Sequence, residues 1–286
     1  MNRLDSLLYG MTTLIECGVA SNKSYGSGFF YNNLAPEYKP VKDGKGYWQK
    51  IESMWLITNR HVALPKNGGE ETLPDYLTFN LRENTGNNKI EWVPITLSVK
   101  ELQNRMALHK DSKIDLVAIK IDDLLMEVVQ KTSNKIIAPS ALTSDNLPEN
   151  SPIQIRVTSD IVVASYPRVF YDRFNKFPII KSGIVASGWG MNFDGDPMFL
   201  IDTQLFPGSS GGVVISKPID GHNLNKQFVL LGVYSGEPYY VEQLLPGVFE
   251  KKSYGLGVVW YSHLIPEIIN TNEIKGEVKV NMYIKR

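Results

Sequence analysis

Three short segments carry side chains that together could perform acyl transfer. They are Leu56-Ile-Thr-Asn-Arg-His61-Val62, Asp111-Ser-Lys-Ile-Asp115-Leu-Val-Ala-Ile, and Phe206-Pro-Gly208-Ser-Ser210-Gly211-Gly212. A serine hydroxyl is a weak nucleophile until a neighbouring base takes its proton. A histidine titrating near neutrality can do this and later return the proton to a leaving amine. A carboxylate beside the histidine fixes its tautomer and stabilises the imidazolium. A glycine-rich turn can aim backbone N–H groups, here those of Gly208 and Ser210, at a developing oxyanion, and each such donor contributes about 3–4 kcal/mol. Each segment alone is weak. A histidine after a strand has many structural uses, an aspartate before a strand usually serves a turn, and Gly/Ser runs occur in linkers. Their order along an all-β chain is what joins them.

The elements that must position these residues read as short strands separated by turn signals. Strands are expected at Met11–Ala20, Gly26–Tyr31, Trp55–Asn59, Tyr76–Leu81, Ile90–Val99 and Ile114–Ile121, with a polar hairpin loop over 32–50. Asp122–Lys131 has helical spacing with an acidic start and is expected to be a short linking helix. A second set of strands follows at Ile153–Val157, Ile161–Ser165, Ile179–Gly188, Met198–Leu205, Gly212–Ser216, Phe228–Tyr234 and Gly255–Tyr261, then a helix over Ser262–Asn270 and a late strand over Glu277–Ile284. Many strands with few helices mean an all-β barrel or sandwich. The expected division is residues 1–135, carrying His61 and Asp115, and residues 136–286, carrying Ser210 with the terminal helix and late strand.

Thr58-Asn-Arg-His61-Val resembles the T-A-x-H motif of chymotrypsin-fold serine peptidases, and Asp115-Leu-Val-Ala-Ile resembles their D-[IL]-A-[LV]-[LI] segment. Gly208-Ser-Ser210-Gly-Gly is similar to G-D-S-G-G and to the G-N-S-G-G of the bacterial high-temperature-requirement proteases. Gly26-Ser-Gly28-Phe-Phe resembles their opening G-S-G-F strand, and Gly183-Ile-Val-Ala-Ser their G-x-[IV]-[AS] hairpin. Leu231-Gly232-Val-Tyr-Ser235-Gly236 looks like the substrate-binding strand, and Gly255-Leu-Gly257-Val-Val-Trp like the last strand. The resemblance covers roughly residues 11–270. It implies two six-stranded antiparallel β-barrels with the site between them, a triad of His61, Asp115 and Ser210, and an oxyanion hole at Gly208 and Ser210. It also implies that Ser235 supports the aspartate, and that Gln204, Gly236 and Gly257 border the primary specificity pocket. Glu237 or Asp202 would add a charge to that pocket if aimed inward. The implied function is a serine endopeptidase; the competing reading is a protease-fold binding or scaffold protein that has lost turnover. An esterase of the other common serine type is disfavoured, because 208–212 does not read Gly-x-Ser-x-Gly.

Departures from the family pattern carry expectations too. Ser209 stands where many members have an aspartate that pairs with a newly cut N-terminus, so that activation switch is expected to be absent. Asn59 replaces a small residue, and the short stretch after Asn270 leaves no room for an appended peptide-binding domain. Control is expected instead from an activating partner acting on the loops 166–179 and 236–254.

The bulk composition narrows the classes further. Thirty basic and thirty acidic residues give no net charge, which does not favour a nucleic-acid partner. No apolar run approaches the ~20 residues of a membrane span, and the N-terminus lacks a signal-peptide core. The single cysteine, Cys17, allows no internal disulfide and suits a reducing compartment. The expectation is a soluble, cytoplasmic protein with protein or peptide substrates and no cofactor. His109 is expected to be solvated, His222 to lie in a turn and His263 to start the last helix. No pair has metal-ligand spacing, and Cys17 is expected to be a buried structural thiol.

Overall fold

The computed structural model describes residues 3–40, 46–86, 90–131, 136–137, 139–219, 227–272, 274 and 282–285. The first body contains β1 (Thr12–Val19), β2 (Asn22–Pro40), β3 (Tyr47–Thr58), β4 (Tyr76–Asn84), β5 (Ile90–Ser98), β6 (Met106–Leu108) and β7 (Val117–Lys120). They belong to a nine-stranded sheet in which β4-β1-β2-β3-β7-β6 are successive neighbours and β5 also pairs with β4. The second body contains β8 (Asp160–Ser165), β9 (Ile179–Val185), β10 (Met198–Asp202), β11 (Val213–Ser216), β12 (Leu230–Gly236) and β13 (Leu256–Tyr261). These close into a barrel in the order β8-β9-β10-β13-β12-β11. The architecture is all-β and of the chymotrypsin-like double-barrel class. The linking helix is Asp122–Lys131, and the C-terminal helix is Leu264–Thr271.

Near-continuous apolar runs in the site-bearing strands reflect burial on both faces. Successive residues point to opposite sides of a strand. Leu56 and Val117 therefore enter the core of the first body, beside Ile15, Phe30, Leu77 and Leu97. Their neighbours Ile57 and Ala118 enter a core shared between the bodies, where they join Val213, Ile215, Leu230, Val233 and Trp260. Val214, Leu231 and Val259 fill the closed barrel with Phe199 and Ile201. A strand that contributes to two cores cannot slip by one residue without exposing both sets. The strand ends that carry His61, Asp115 and Ser210 are fixed accordingly.

Several elements differ from expectation. The loop over 32–50 is largely strand: β2 runs to Pro40 and β3 begins at Tyr47, pairing Tyr38 with Gln49 and Lys39 with Trp48. Ile153–Val157 forms no strand. Its isoleucines instead pack partly buried against the barrel core, because six other strands already close that barrel. The late strand, observed as Met282–Lys285, pairs with β3 and so extends the N-terminal sheet; the rest of the expected segment, 277–281, lies outside the described residues. Ile136–Ile137 also joins that sheet, through β4. Helices Arg3–Gly10 and Val99–Arg105 were not among the expected elements; the second begins at a Ser98/Glu101 capping box. The segment 236–254 contains a projecting hairpin, Tyr239–Leu245 with Val248–Ser253, whose Leu244, Leu245, Val248 and Phe249 are exposed.

The loop 166–178 is tied to the first body rather than free. Arg82, buried on β4, donates from Nε and Nη2 to the Lys176 carbonyl, and from Nη2 to the Tyr166 hydroxyl (3.0 Å) and the Thr12 carbonyl (3.3 Å). Trp92 stacks on Tyr171, Tyr9 stacks on Phe177, and Lys176 pairs with Glu91. No carboxylate lies within ion-pair distance of Arg82 among the described residues; its charge is solvated by fixed carbonyl and hydroxyl oxygens. Replacing it leaves those buried acceptors unpaired. Arg82→Leu is expected to cost about 2–4 kcal/mol of stability, read as a lowered urea midpoint with unchanged slope.

Candidate active site

β3 ends at Thr58, and the chain turns through Asn59 into one helical turn, Arg60–Ala63. Arg60 is held from outside by a two-pronged pair with Glu71, 2.7–2.9 Å. The turn presents His61 to Asp115, which lies just before β7, the strand paired with β3. The His61 main-chain N–H donates to Asp115 Oδ1 at 2.9 Å, and His61 Nδ1 lies 2.7 Å from Asp115 Oδ2. Facing a carboxylate, Nδ1 carries the proton, which leaves the Nε2 lone pair available as a base. Ser235 Oγ donates to the same Oδ2 at 2.6 Å. Asn59 donates from Nδ2 to the Asp115 carbonyl at 2.8 Å. The residue that departs from the family motif thus anchors the backbone of the aspartate.

The segment before Ser210 forms a turn of type II form. Ser209 N–H donates to Phe206 C=O at 3.0 Å, with Pro207 second and Gly208 third at φ +92°. Only glycine fits there: a Cβ would come within 2.9 Å of Arg168 N and Tyr166 O. The Pro207 carbonyl accepts from Arg168 N–H at 2.7 Å. Because a trans peptide points its C=O and N–H in opposite directions, this bond turns the Gly208 N–H away from Arg168. Neither Gly208 N–H nor Ser210 N–H has an acceptor among the described residues. Arg168 and its β-branched neighbour Val169 hold this clamp at positive φ, +49° and +57°, each costing about 1–3 kcal/mol.

Ser27, from the Gly-Ser-Gly stretch of β2, ties this loop to the first body. Its N–H donates to Ser210 C=O at 2.7 Å, and its hydroxyl donates to Gly208 C=O at 2.8 Å while accepting from Tyr166 N–H at 2.9 Å. Gly211 lies so close that a Cβ would be 2.0 Å from Ser27 O. The small residues around Ser27 are the sequence signal of this close approach, and the sequence reading missed its role. Ser210 Oγ donates to Ser235 C=O at 2.8 Å and makes no hydrogen bond to His61. Ser209 is buried and accepts from Ser165 Oγ at 3.2 Å.

The specificity residues divide. At Gly236 a Cβ would meet nothing, so it borders open space, whereas Gly257 is buried and a Cβ there would meet Tyr234 and Ile201. Gln204 is exposed; its carbonyl accepts from Lys181 Nζ. Glu237 Oε1 accepts from Leu205 N–H at 3.2 Å.

The remaining candidates take structural places. His109 is buried, contrary to expectation: Nδ1 accepts from Asp111 N–H at 3.0 Å and Nε2 faces Glu267 at 3.2 Å, which joins the loop before Asp115 to the C-terminal helix. His263 stacks on Tyr261 at the start of that helix, and His222 lies outside the described residues. Cys17 is buried, with Sγ donating to Val62 C=O at 3.2 Å, and burial pushes its thiol up to about 12. Among the described residues no cluster of His, Cys, Asp or Glu could hold a metal ion, and no helix is long and apolar enough to cross a membrane.

No curated protein matches the sequence. Among solved structures, a variant of the HtrA-type protease AlgW with a tripeptide is similar at 15% identity and a TM-score of 0.50, covering 94% of this chain and 62% of that one. The protease Rv3671c from M. tuberculosis in its active form gives 14% identity and a TM-score of 0.46, covering 98% and 87%. The protease Anisep from Arthrobacter nicotinovorans gives 13% and 0.47, covering 92% and 94%. The chain therefore spans less than two thirds of the AlgW chain, and at such identity the likeness to AlgW speaks for the fold alone. The sequence pattern of the trypsin-like peptidase domain matches residues 26–219, more than half of the chain. The chain belongs to the trypsin-like peptidase domain family.

Proposed function

We propose that the protein is a serine endopeptidase acting on protein or peptide substrates through an acyl-enzyme at Ser210. The observation that carries this reading is the assembly around Ser210: a histidine oriented by a carboxylate, beside a loop with two unpaired N–H groups. Rotation about one side-chain bond takes the Ser210 hydroxyl from the Ser235 carbonyl toward His61. Nε2 then removes the hydroxyl proton as Oγ attacks the scissile carbonyl. The Gly208 and Ser210 N–H groups receive the oxyanion, and the imidazolium, held by Asp115, protonates the leaving amine. Water, deprotonated by the same Nε2, releases the acyl group.

The alternative, a silent protease-fold binding protein, draws on one observation: the Ser210 hydroxyl engages Ser235 and not the base. Fluorophosphonate labelling with mass spectrometry decides between them. The adduct is expected on Ser210 and to vanish, together with peptide hydrolysis, in Ser210→Ala. An adduct on Ser209, or hydrolysis surviving in that variant, refutes the assignment.

Asp115→Asn keeps the shape of the site but removes the anion that orients His61. Turnover is expected to fall by about 10⁴-fold with little change in thermal midpoint. A loss below tenfold would show that another carboxylate serves the histidine.

Control by an activating partner is part of the proposal. Its access point is the exposed segment 239–253, since 166–178 is already anchored. Isolated protein is expected to label slowly. Rapid, stoichiometric labelling of the purified chain would remove the need for a partner. The single cysteine keeps a reducing, cytoplasmic setting as the proposed location.

A further inference from the structure

The hairpin Tyr239–Leu245 with Val248–Ser253 is a two-stranded sheet that pairs with no other strand among the described residues. Its tip is an uncharged run, Gln243-Leu-Leu-Pro-Gly-Val-Phe249. Leu244, Leu245, Val248 and Phe249 are 52%, 64%, 49% and 63% exposed. Val248 and Phe249 are consecutive and so point to opposite faces of the ribbon; neither face is covered. Single apolar residues on a surface are ordinary, but a contiguous group marks a contact. A flat protein surface, a second copy of this chain included, covers one face of such a tip. Lipid headgroups and acyl chains close around it from every side.

The polar groups of the hairpin are ordered along its length. Pro246 and Gly247, the latter at φ +80°, form the turn between the paired residues Leu245 and Val248. Pro246 has no N–H to leave unpaired, and Leu245 C=O accepts from Gln243 Nε2 at 3.3 Å. Charges begin behind this tip. Glu242 faces Glu250 across the ribbon, and Lys252 Nζ pairs with both, 3.9 Å from Glu250. Lys251 lies over the Tyr239 ring. Two carboxylates and two ammonium groups leave this band without net charge. Further back stand the exposed Tyr239, Tyr240 and Tyr254, the last two with ring centroids 5.0 Å apart. At about 3.4 Å per residue, the three residues beyond Glu242 reach about 10 Å, the depth to which interfacial segments enter a bilayer.

We infer that this hairpin is a membrane-docking element whose tip enters the interfacial region of a zwitterionic phospholipid bilayer. The balanced band of Glu242, Glu250, Lys251 and Lys252 complements headgroups that carry both a phosphate and an ammonium; attraction to anionic lipid would call for a basic cluster instead. Tyrosine rings, apolar in body and polar at the hydroxyl, suit the level of the headgroups. Only the tip enters, so the outer edges of the two strands stay where water reaches their N–H and C=O groups. The inference needs no turnover at Ser210, and its failure leaves the peptidase reading untouched.

The test uses the full chain and phosphatidylcholine vesicles. The native protein is expected to co-sediment with them. Partitioning is expected to weaken by about tenfold for each of Leu245→Ser and Phe249→Ser, with an unchanged thermal midpoint because both side chains are exposed. Adding phosphatidylserine is expected to change it little, since the charged band is neutral. Depth is read separately. Cys17 is buried, so Val248→Cys and Ser253→Cys each take a thiol-reactive, environment-sensitive dye at one place. The dye at 248 is expected to shift to the blue with vesicles and to be quenched by spin-labelled lipid, and the dye at 253 to do neither. The inference is overturned if the native protein does not bind, if binding is unmoved in both serine variants, if it requires phosphatidylserine, or if the two dyes respond alike. A dimer seen by ultracentrifugation without vesicles, and dissolved by the same serine substitutions, also overturns it: the tip would then lie between copies of the chain.

Discussion

Everything at the site depends on the hydrogen bonds of Ser27. The histidine and aspartate come from one body and the serine from the other, so a small rotation between bodies would separate base from nucleophile. Ser27 N–H on Ser210 C=O and Ser27 Oγ on Gly208 C=O bolt the nucleophile turn to β2. The Ser27 carbonyl is held in turn by Thr58 Oγ1 at 2.7 Å, three residues before His61. One buried serine thus links the strand that delivers the base to the loop that delivers the nucleophile. Such a link is short and directional, whereas the apolar core shared by the two bodies is neither.

The second constraint is strain. Two consecutive left-handed residues, Arg168 and Val169, are unfavourable in isolation. They persist because Tyr166 is hydrogen-bonded through both its N–H and its hydroxyl, and because Trp92, Tyr171, Tyr9 and Phe177 pack the rest of the loop. The strained backbone then directs one N–H at Pro207 C=O, which sets the orientation of the Gly208 amide. A remote guanidinium, Arg82, therefore has a physical route to the oxyanion geometry: it holds Tyr166 and Lys176, and these hold the clamp.

The departures from the family motifs also find places. Asn59 is larger than the usual residue, but its amide spans to the Asp115 carbonyl, so the extra atoms anchor the aspartate's backbone. Ser209, where an aspartate would wait for a new N-terminus, is sealed against Ser165. A buried ion pair is replaced by a neutral hydroxyl pair that avoids the desolvation of charge. Phe206, in the nucleophile turn, carries both Arg168 and Lys181 over its ring.

The strand ends bearing His61, Asp115 and Ser210 were legible from sequence because their signals are local: an apolar run, then a residue whose chemistry is unusual at such a position. The linking helix was legible for the same reason, its apolar spacing lying within ten residues. The all-β class followed from the sum of such signals. Other features depended on which chain segments meet. Ile153–Val157 has the composition of a strand but finds the barrel already closed, and Met282–Lys285 crosses back to the sheet of the other body. Ser27 looks like one small residue among several until the nucleophile turn arrives beside it. Glu237 could be named from sequence as a charge near the cleft, but its direction was set only by Leu205 N–H across the gap. Composition and periodicity act along the chain, and so the sequence by itself determined the fold class, the site-bearing strands and the residues able to react. Hydrogen bonds between segments far apart in sequence depend on where folding brings them, and so the tertiary structure alone decided how those residues are aimed.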